Sequence, residues 1–135
     1  WTGDGRDIAD QKINFGSILA DVPCTGLGAL RRRPEVRWRR TPSDLPTLTK
    51  LQFELSCAAI ESLKPGGLFG YATCSPHLAE TTAQKIAILK RYPDLELVKV
   101  DLSPELLSPD GTMQLWPHRH DTDAMYLALF RKRLD

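Results

Sequence analysis

Four short apolar blocks and two amphipathic stretches alternate along this chain. Ser17-Ile18-Leu19-Ala20-Asp21-Val22 is a compact apolar run with a carboxylate near its end, as in a buried strand. Leu68-Phe69-Gly70-Tyr71-Ala72-Thr73 is a second run, the segment from Leu95 to Val100 a third, and that from Ala124 to Phe130 a fourth. Between the first two, Leu48, Leu51, Leu55, Ala58, Ala59 and Leu63 recur at helical spacing. Thr41-Pro42-Ser43-Asp44-Leu45-Pro46 reads as a linker into that helix, and Lys64-Pro65-Gly66-Gly67 as the turn that stops it. A further helix is expected from Leu78 to Arg91, ended near Pro93, and Gly3 to Asp7 reads as a loop. Strand, helix, strand, helix, strand, strand is the order of an α/β sheet with crossover helices.

Both leading strands run into a cysteine-bearing loop, at Pro23-Cys24-Thr25 and at Cys74-Ser75-Pro76. Open α/β sheets bind ligands outside the carboxyl ends of their strands. The pattern therefore predicts two thiols, Cys24 and Cys74, and one carboxylate, Asp21, at one edge of one sheet.

Length adds that the 135 residues suffice for one domain and not two. The 41% hydrophobic and 26% charged shares are those of a folded domain. No apolar run is long enough to span a membrane. The first residues, from Trp1 to Asp7, carry no signal-peptide pattern. Three cysteines at no metal-binding spacing argue against a disulfide scaffold and for a reducing, cytoplasmic setting.

Charge changes the picture more. The chain holds 18 Lys and Arg against 17 Asp and Glu, but residues 31–40 alone hold six Arg and one Glu. The remainder is left with 12 basic and 16 acidic groups. A basic patch of Arg31, Arg32, Arg33, Arg37, Arg39 and Arg40, with Trp38 inside it, suits phosphate pairing and base stacking. A solvated face is the plainer alternative.

Thiolates become nucleophiles when positive charge or a helix N-terminus lowers their pKa. Cys74 precedes a helix, and Cys24 sits in a Pro- and Gly-containing loop. Cys57, within an amphipathic helix, reads as a small hydrophobe. Asp21 reads as a cap or as a substrate-binding carboxylate, and the neighbouring Cys24 favours the second. His118, His120, Asp121 and Asp123 match no zinc template, so no metal is expected.

Asp21-Val22-Pro23-Cys24-Thr25-Gly26-Leu27-Gly28 resembles the D-A-P-C-S-G motif of the RsmB/Nop2/Sun family of RNA cytosine-5 methyltransferases. Tyr71-Ala72-Thr73-Cys74-Ser75 resembles its Y-S-T-C-S motif. The segment from Leu115 to Asp123 looks like its L-x-P-H-x-H-x-T-D ending, and Gly3-Asp4-Gly5-Arg6 is similar to its adenine-side G-D-A-R loop. The stretch from Arg31 to Trp38 is similar to the R-R-H-P-D-I-K-W stretch of the bacterial Sun or RsmB branch, which acts on 16S ribosomal RNA. Val22, Ala72 and Ala124-Met125-Tyr126 depart from the pattern but keep its apolar character. The family's Gly-rich cofactor loop and ribose-binding acid have no counterpart here.

The resemblance implies residues 1–135 as the C-terminal part of a Rossmann-like catalytic domain, without the first cofactor-binding strands or the RNA-binding region. Its sheet would be mostly parallel with an antiparallel last strand. Cys74 would attack carbon 6 of a cytosine, and Cys24 would assist release. Asp21 would lie by the base and the S-adenosylmethionine, Asp4 by the adenine, and the Arg segment with Trp38 would hold RNA. The isolated chain would bind cofactor weakly, lack activity and self-associate through uncovered apolar surface. Two alternatives stand beside this: a DNA-type enzyme with Cys24 as nucleophile, and a non-catalytic RNA-binding module. A redox link between the two thiols is also open.

Overall fold

The computed structural model describes residues 2–134; Trp1, part of the N-terminal stretch read above, lies outside them. Five strands form one sheet: β1 (Phe15–Asp21), β2 (Leu63–Thr73), β3 (Leu95–Val98), β4 (Met113–Leu115) and β5 (Met125–Lys132). The spatial order is β1-β2-β5-β3, with β4 also pairing with β5. β1 and β2 are parallel, while β5 runs antiparallel to β2, β3 and β4. Four strands thus share one direction and β5 alone opposes them, as the sequence implied.

The helices are α1 (Val36–Arg39), α2 (Asp44–Glu61), α3 (Thr82–Arg91) and α4 (Pro117–His120). Alternate residues of β2 and β5 face the core, where Phe69, Tyr71, Ala128 and Phe130 are fully buried with Ile60 of α2 and Ile88 of α3. Burying each large apolar side chain contributes about 1.5–3 kcal/mol, so this layer carries most of the stability. Phe69 stacks on Phe130 at 5.8 Å between ring centroids.

Several boundaries differ from the sequence reading, each for a local reason. α2 begins at Asp44, inside the expected linker: Pro46 falls in the first turn, where no backbone donor is required. Leu63 lies in β2 rather than α2, and Ser62 is the only residue between them. Lys64-Pro65-Gly66-Gly67 is not a turn after the helix. It bulges within β2, because Phe15 pairs with Leu63 while Ser17 pairs with Leu68. Gly66 takes φ of 76° there. The helix expected from Leu78 to Arg91 is broken into a 3-10 turn (Leu78–Glu80) and α3, with Thr81 at φ −125° and ψ −97° between them. The expected loop around Gly3 to Asp7 runs into a 3-10 helix (Gly5–Gln11) capped by the Asp4 carboxylate. β3 stops at Val98, and β5 reaches Lys132.

A candidate active site at the carboxyl ends of β1 and β2

β1 and β2 pair in parallel down to Asp21 and Ala72, so the loops that follow leave the sheet side by side. The Cys24 and Cys74 sulfurs lie 3.4 Å apart. Cys24 is 8% exposed, whereas Cys74 is only half-buried. Burial penalises a thiolate, so the charge settles on the better-solvated sulfur. The hydrogen bond from Cys24 pulls the Cys74 thiol down to about 7, against the effects of burial and of the Asp21 and Asp123 charges. The Cys24 thiol is pushed well above its ordinary range by that same shared proton and by burial. The pair therefore favours the charge on Cys74 and the shared proton on Cys24.

Gly28 locks the two loops to β5. Its N–H donates to the Cys74 carbonyl at 2.9 Å, and its own carbonyl accepts from the Ala124 N–H at 2.9 Å. A Cβ at Gly28 would stand 2.7 Å from the Cys74 carbonyl oxygen, so this close approach requires glycine.

Beneath the thiols lies a buried polar cluster that the sequence reading missed. Glu80, fully buried, accepts from the Thr25 N–H at 2.8 Å and the Thr25 hydroxyl at 2.6 Å. It also accepts from the Ser75 hydroxyl at 2.5 Å and the Gln52 amide at 3.0 Å. Gln52, buried on α2, donates to the Pro23 carbonyl at 2.9 Å as well. The only hint in the sequence was a hydroxyl residue directly after each cysteine.

Asp21 is exposed at the end of β1, and its charge acts on Cys74. It also lines a mostly apolar groove of about 290 Å³ with Gly5, Ile8, Ile18, Val22 and Leu55. Asp4, which precedes the groove residue Gly5, caps the 3-10 helix, and Arg6 grips its carboxylate and holds its pKa down to about 2. A second hollow of about 250 Å³ lies beside the Cys24 loop, lined by Leu27, Arg40, Pro42, Leu45 and His77.

The Arg segment divides. Arg31 and Arg32 turn inward onto Asp123, and Arg31 also reaches Asp121. Arg32 and Arg31 hold the Asp123 carboxyl below its usual range. Arg40 reaches the Cys24 carbonyl at 3.5 Å. Arg33, Arg37, Trp38 and Arg39 face solvent, and Trp38 is 76% exposed. His120 is spent on structure, accepting from the Trp116 N–H and facing the Glu105 carbonyl. Among the described residues no cluster of three or more His, Cys, Asp or Glu is placed to hold a metal ion. No helix among them is long and apolar enough to cross a membrane.

Residues 1–131 match the family model described as 16S rRNA methyltransferase RsmB/F. The chain belongs to the RsmB/F family. The resemblance read from the two cysteine motifs is thereby borne out. Among relatives, the chain is 52% identical over 132 residues to a putative methyltransferase of Mycobacterium tuberculosis, Rv1407, covering 96% of this chain and 29% of that protein. It is 38% identical over 135 residues to ribosomal RNA small subunit methyltransferase B of Yersinia enterocolitica, covering 97% and 30%. The fold matches NSun6 from Pyrococcus horikoshii, solved with SFG, at a TM-score of 0.86 and 26% identity, covering 100% of this chain and 34% of that one. A methyltransferase homologue from the same organism gives 0.80 and 28%, covering 98% and 44%. The chain thus spans about 30% of the length of the family members it matches in sequence.

Proposed function

We propose that residues 1–135 form the C-terminal part of a catalytic domain that methylates carbon 5 of a cytosine in 16S ribosomal RNA, in the cytoplasm. The observation that carries this reading is the unequal thiol pair, 3.4 Å apart at two strand ends. Carbon 5 of cytosine is a poor nucleophile. Addition of the Cys74 thiolate to carbon 6 makes carbon 5 electron-rich enough to take a methyl group. A general base then takes the carbon 5 proton, its electron pair re-forms the 5,6 double bond, and the bond from carbon 6 to sulfur breaks to return Cys74 as a thiolate, a release that Cys24 assists. Asp21, between the thiols and the groove, steadies the ring. The target base must leave its stack to reach the pair, and the Arg segment with Trp38 holds the surrounding RNA.

S-adenosylmethionine supplies the methyl group when bound. The mostly apolar groove beside Asp21 would take its adenine end, near Asp4, which directly precedes the groove residue Gly5. An SFG complex of a relative supports this cofactor class. The remaining cofactor contacts would come from the portion of the relatives that this chain does not span. The isolated chain would accordingly be inactive and bind cofactor weakly. Leu19, Leu68, Leu127 and Leu129 line a groove on the sheet face away from α2 and α3, which supports its self-association.

The test uses the complete protein with S-adenosylmethionine and small-subunit ribosomal RNA. Cys24→Ala is expected to accumulate a denaturant-stable protein–RNA adduct, and Cys74→Ala to give none. The reversed pattern would make Cys24 the nucleophile. Full methylation by both variants would remove the thiols from the chemistry.

A further inference from the structure

Glu80 is fully buried. Burying a charge is costly unless donors surround it, and here all four donors converge on the carboxylate. One oxygen accepts from the Thr25 N–H and the Gln52 amide, the other from the Thr25 and Ser75 hydroxyls. The chain bends to allow this. The helix after Cys74 is broken at Thr81, where the Thr81 hydroxyl donates to the His77 carbonyl. Tyr71 donates to the Glu80 carbonyl at 2.7 Å, fixing the backbone at the break. Thr25 directly follows Cys24, and Ser75 directly follows Cys74. The same side chain therefore grips both thiol-bearing loops one residue beyond the sulfur.

We propose that Glu80 is a positioning residue that sets the separation of the two thiols by docking the Cys24 loop through Thr25 and the Cys74 loop through Ser75. This deepens the two-thiol reading and rests on it for its catalytic consequence. Glu80 touches no reacting atom. Its effect is to keep the proton-donating thiol and the attacking thiolate in contact.

The two hydroxyls allow each loop to be released separately. In the complete protein, Thr25→Val loosens the Cys24 loop and is expected to slow release, so that adduct with small-subunit ribosomal RNA accumulates. Ser75→Ala loosens the Cys74 loop and is expected to lower adduct and methylation together. Opposite signs are the mark of positioning; where the wild-type protein forms the adduct, a shift in the same direction for both variants, or none, overturns the proposal.

A second readout needs no RNA. The pH profile of iodoacetamide alkylation at Cys74, followed by peptide mass spectrometry, is expected to have its midpoint near 7. Glu80→Ala should move that midpoint upward, because the Cys24 hydrogen bond is lost. Glu80→Gln should restore it, since its oxygen keeps the Thr25 N–H and Gln52 bonds while its amide donates to the two hydroxyls. A folded Glu80→Ala protein with an unmoved midpoint overturns the proposal. If Glu80→Ala does not fold, Thr25→Val and Ser75→Ala carry the same titration and must shift it. If the midpoint moves as expected but neither cysteine variant behaves as an RNA methyltransferase should, the positioning role stands and the methylation reading falls.

Discussion

The loops after β1 and β2 have nearly the same recipe, a strand end, a cysteine and a hydroxyl residue, yet the two sulfurs differ in character. Cys24 is buried, in a loop where Arg40 reaches the Cys24 carbonyl and Gln52 of α2 holds the Pro23 carbonyl. Cys74 opens outward beside Asp21. The hydrogen bond between the sulfurs, together with the deeper burial of Cys24, sets a proton-holding Cys24 apart from a more acidic Cys74. Similar sequence around two cysteines therefore does not give similar chemistry; the layer packed behind each loop decides it.

Removing one partner breaks this comparison most severely. Cys74→Ala is expected to abolish methylation, a loss of at least about three orders of magnitude, as for other single knockouts of a nucleophile. Next comes Gly28→Ala. The added methyl collides with the Cys74 carbonyl and must displace one loop from β5. Overpacking of this kind costs about 1–3 kcal/mol, readable as a lowered denaturation midpoint, and Cys74 alkylation should lose its low-pH reactivity. If Gly28→Ala leaves both unchanged, the loops are not held as described.

A gentler perturbation is Cys24→Ala. Without the shared proton, Cys74 should titrate nearer an ordinary thiol, about 8.5. The sign is definite: the wild-type thiolate is populated above about pH 7 and lost as pH falls through it. Alkylation at pH 7 should therefore slow in the variant. The smallest effect is expected for Asp123→Asn. Its charge opposes the Cys74 thiolate, so removal should lower the Cys74 midpoint slightly. An upward shift would show that Arg32, freed from Asp123, no longer acts near the sulfur.

The sequence revealed the strands and the two thiols because those signals are local. Apolar runs ending at Cys24 and Cys74 need no knowledge of the partner strand, and β5's direction followed from the family pattern. Glu80 was hidden because its value depends on what lies fifty-five positions earlier at Thr25. In one dimension it is a polar residue in an expected helix. Pro46 and Pro65-Gly66-Gly67 misled for a related reason. Proline ends a helix in its interior but not in its first turn, and glycine pairs mark bulges as readily as turns. The Arg segment was legible as charge, but its division into inward and outward members depends on Asp121 and Asp123, which lie some ninety positions later.

That division has a meaning in counterion thermodynamics. Six arginines occur in residues 31–40, but Arg31 and Arg32 are already neutralised by carboxylates of the same chain. Among the described residues, Arg33, Arg37, Arg39 and Arg40 of this segment are paired with no carboxylate. Each phosphate neutralised on a single strand releases condensed cations and steepens the fall of log affinity with log salt by about 0.7. Under the proposed RNA-binding role of this segment, Asp123 thereby sets how steeply its affinity falls with electrolyte concentration, independently of which nucleotide is recognised.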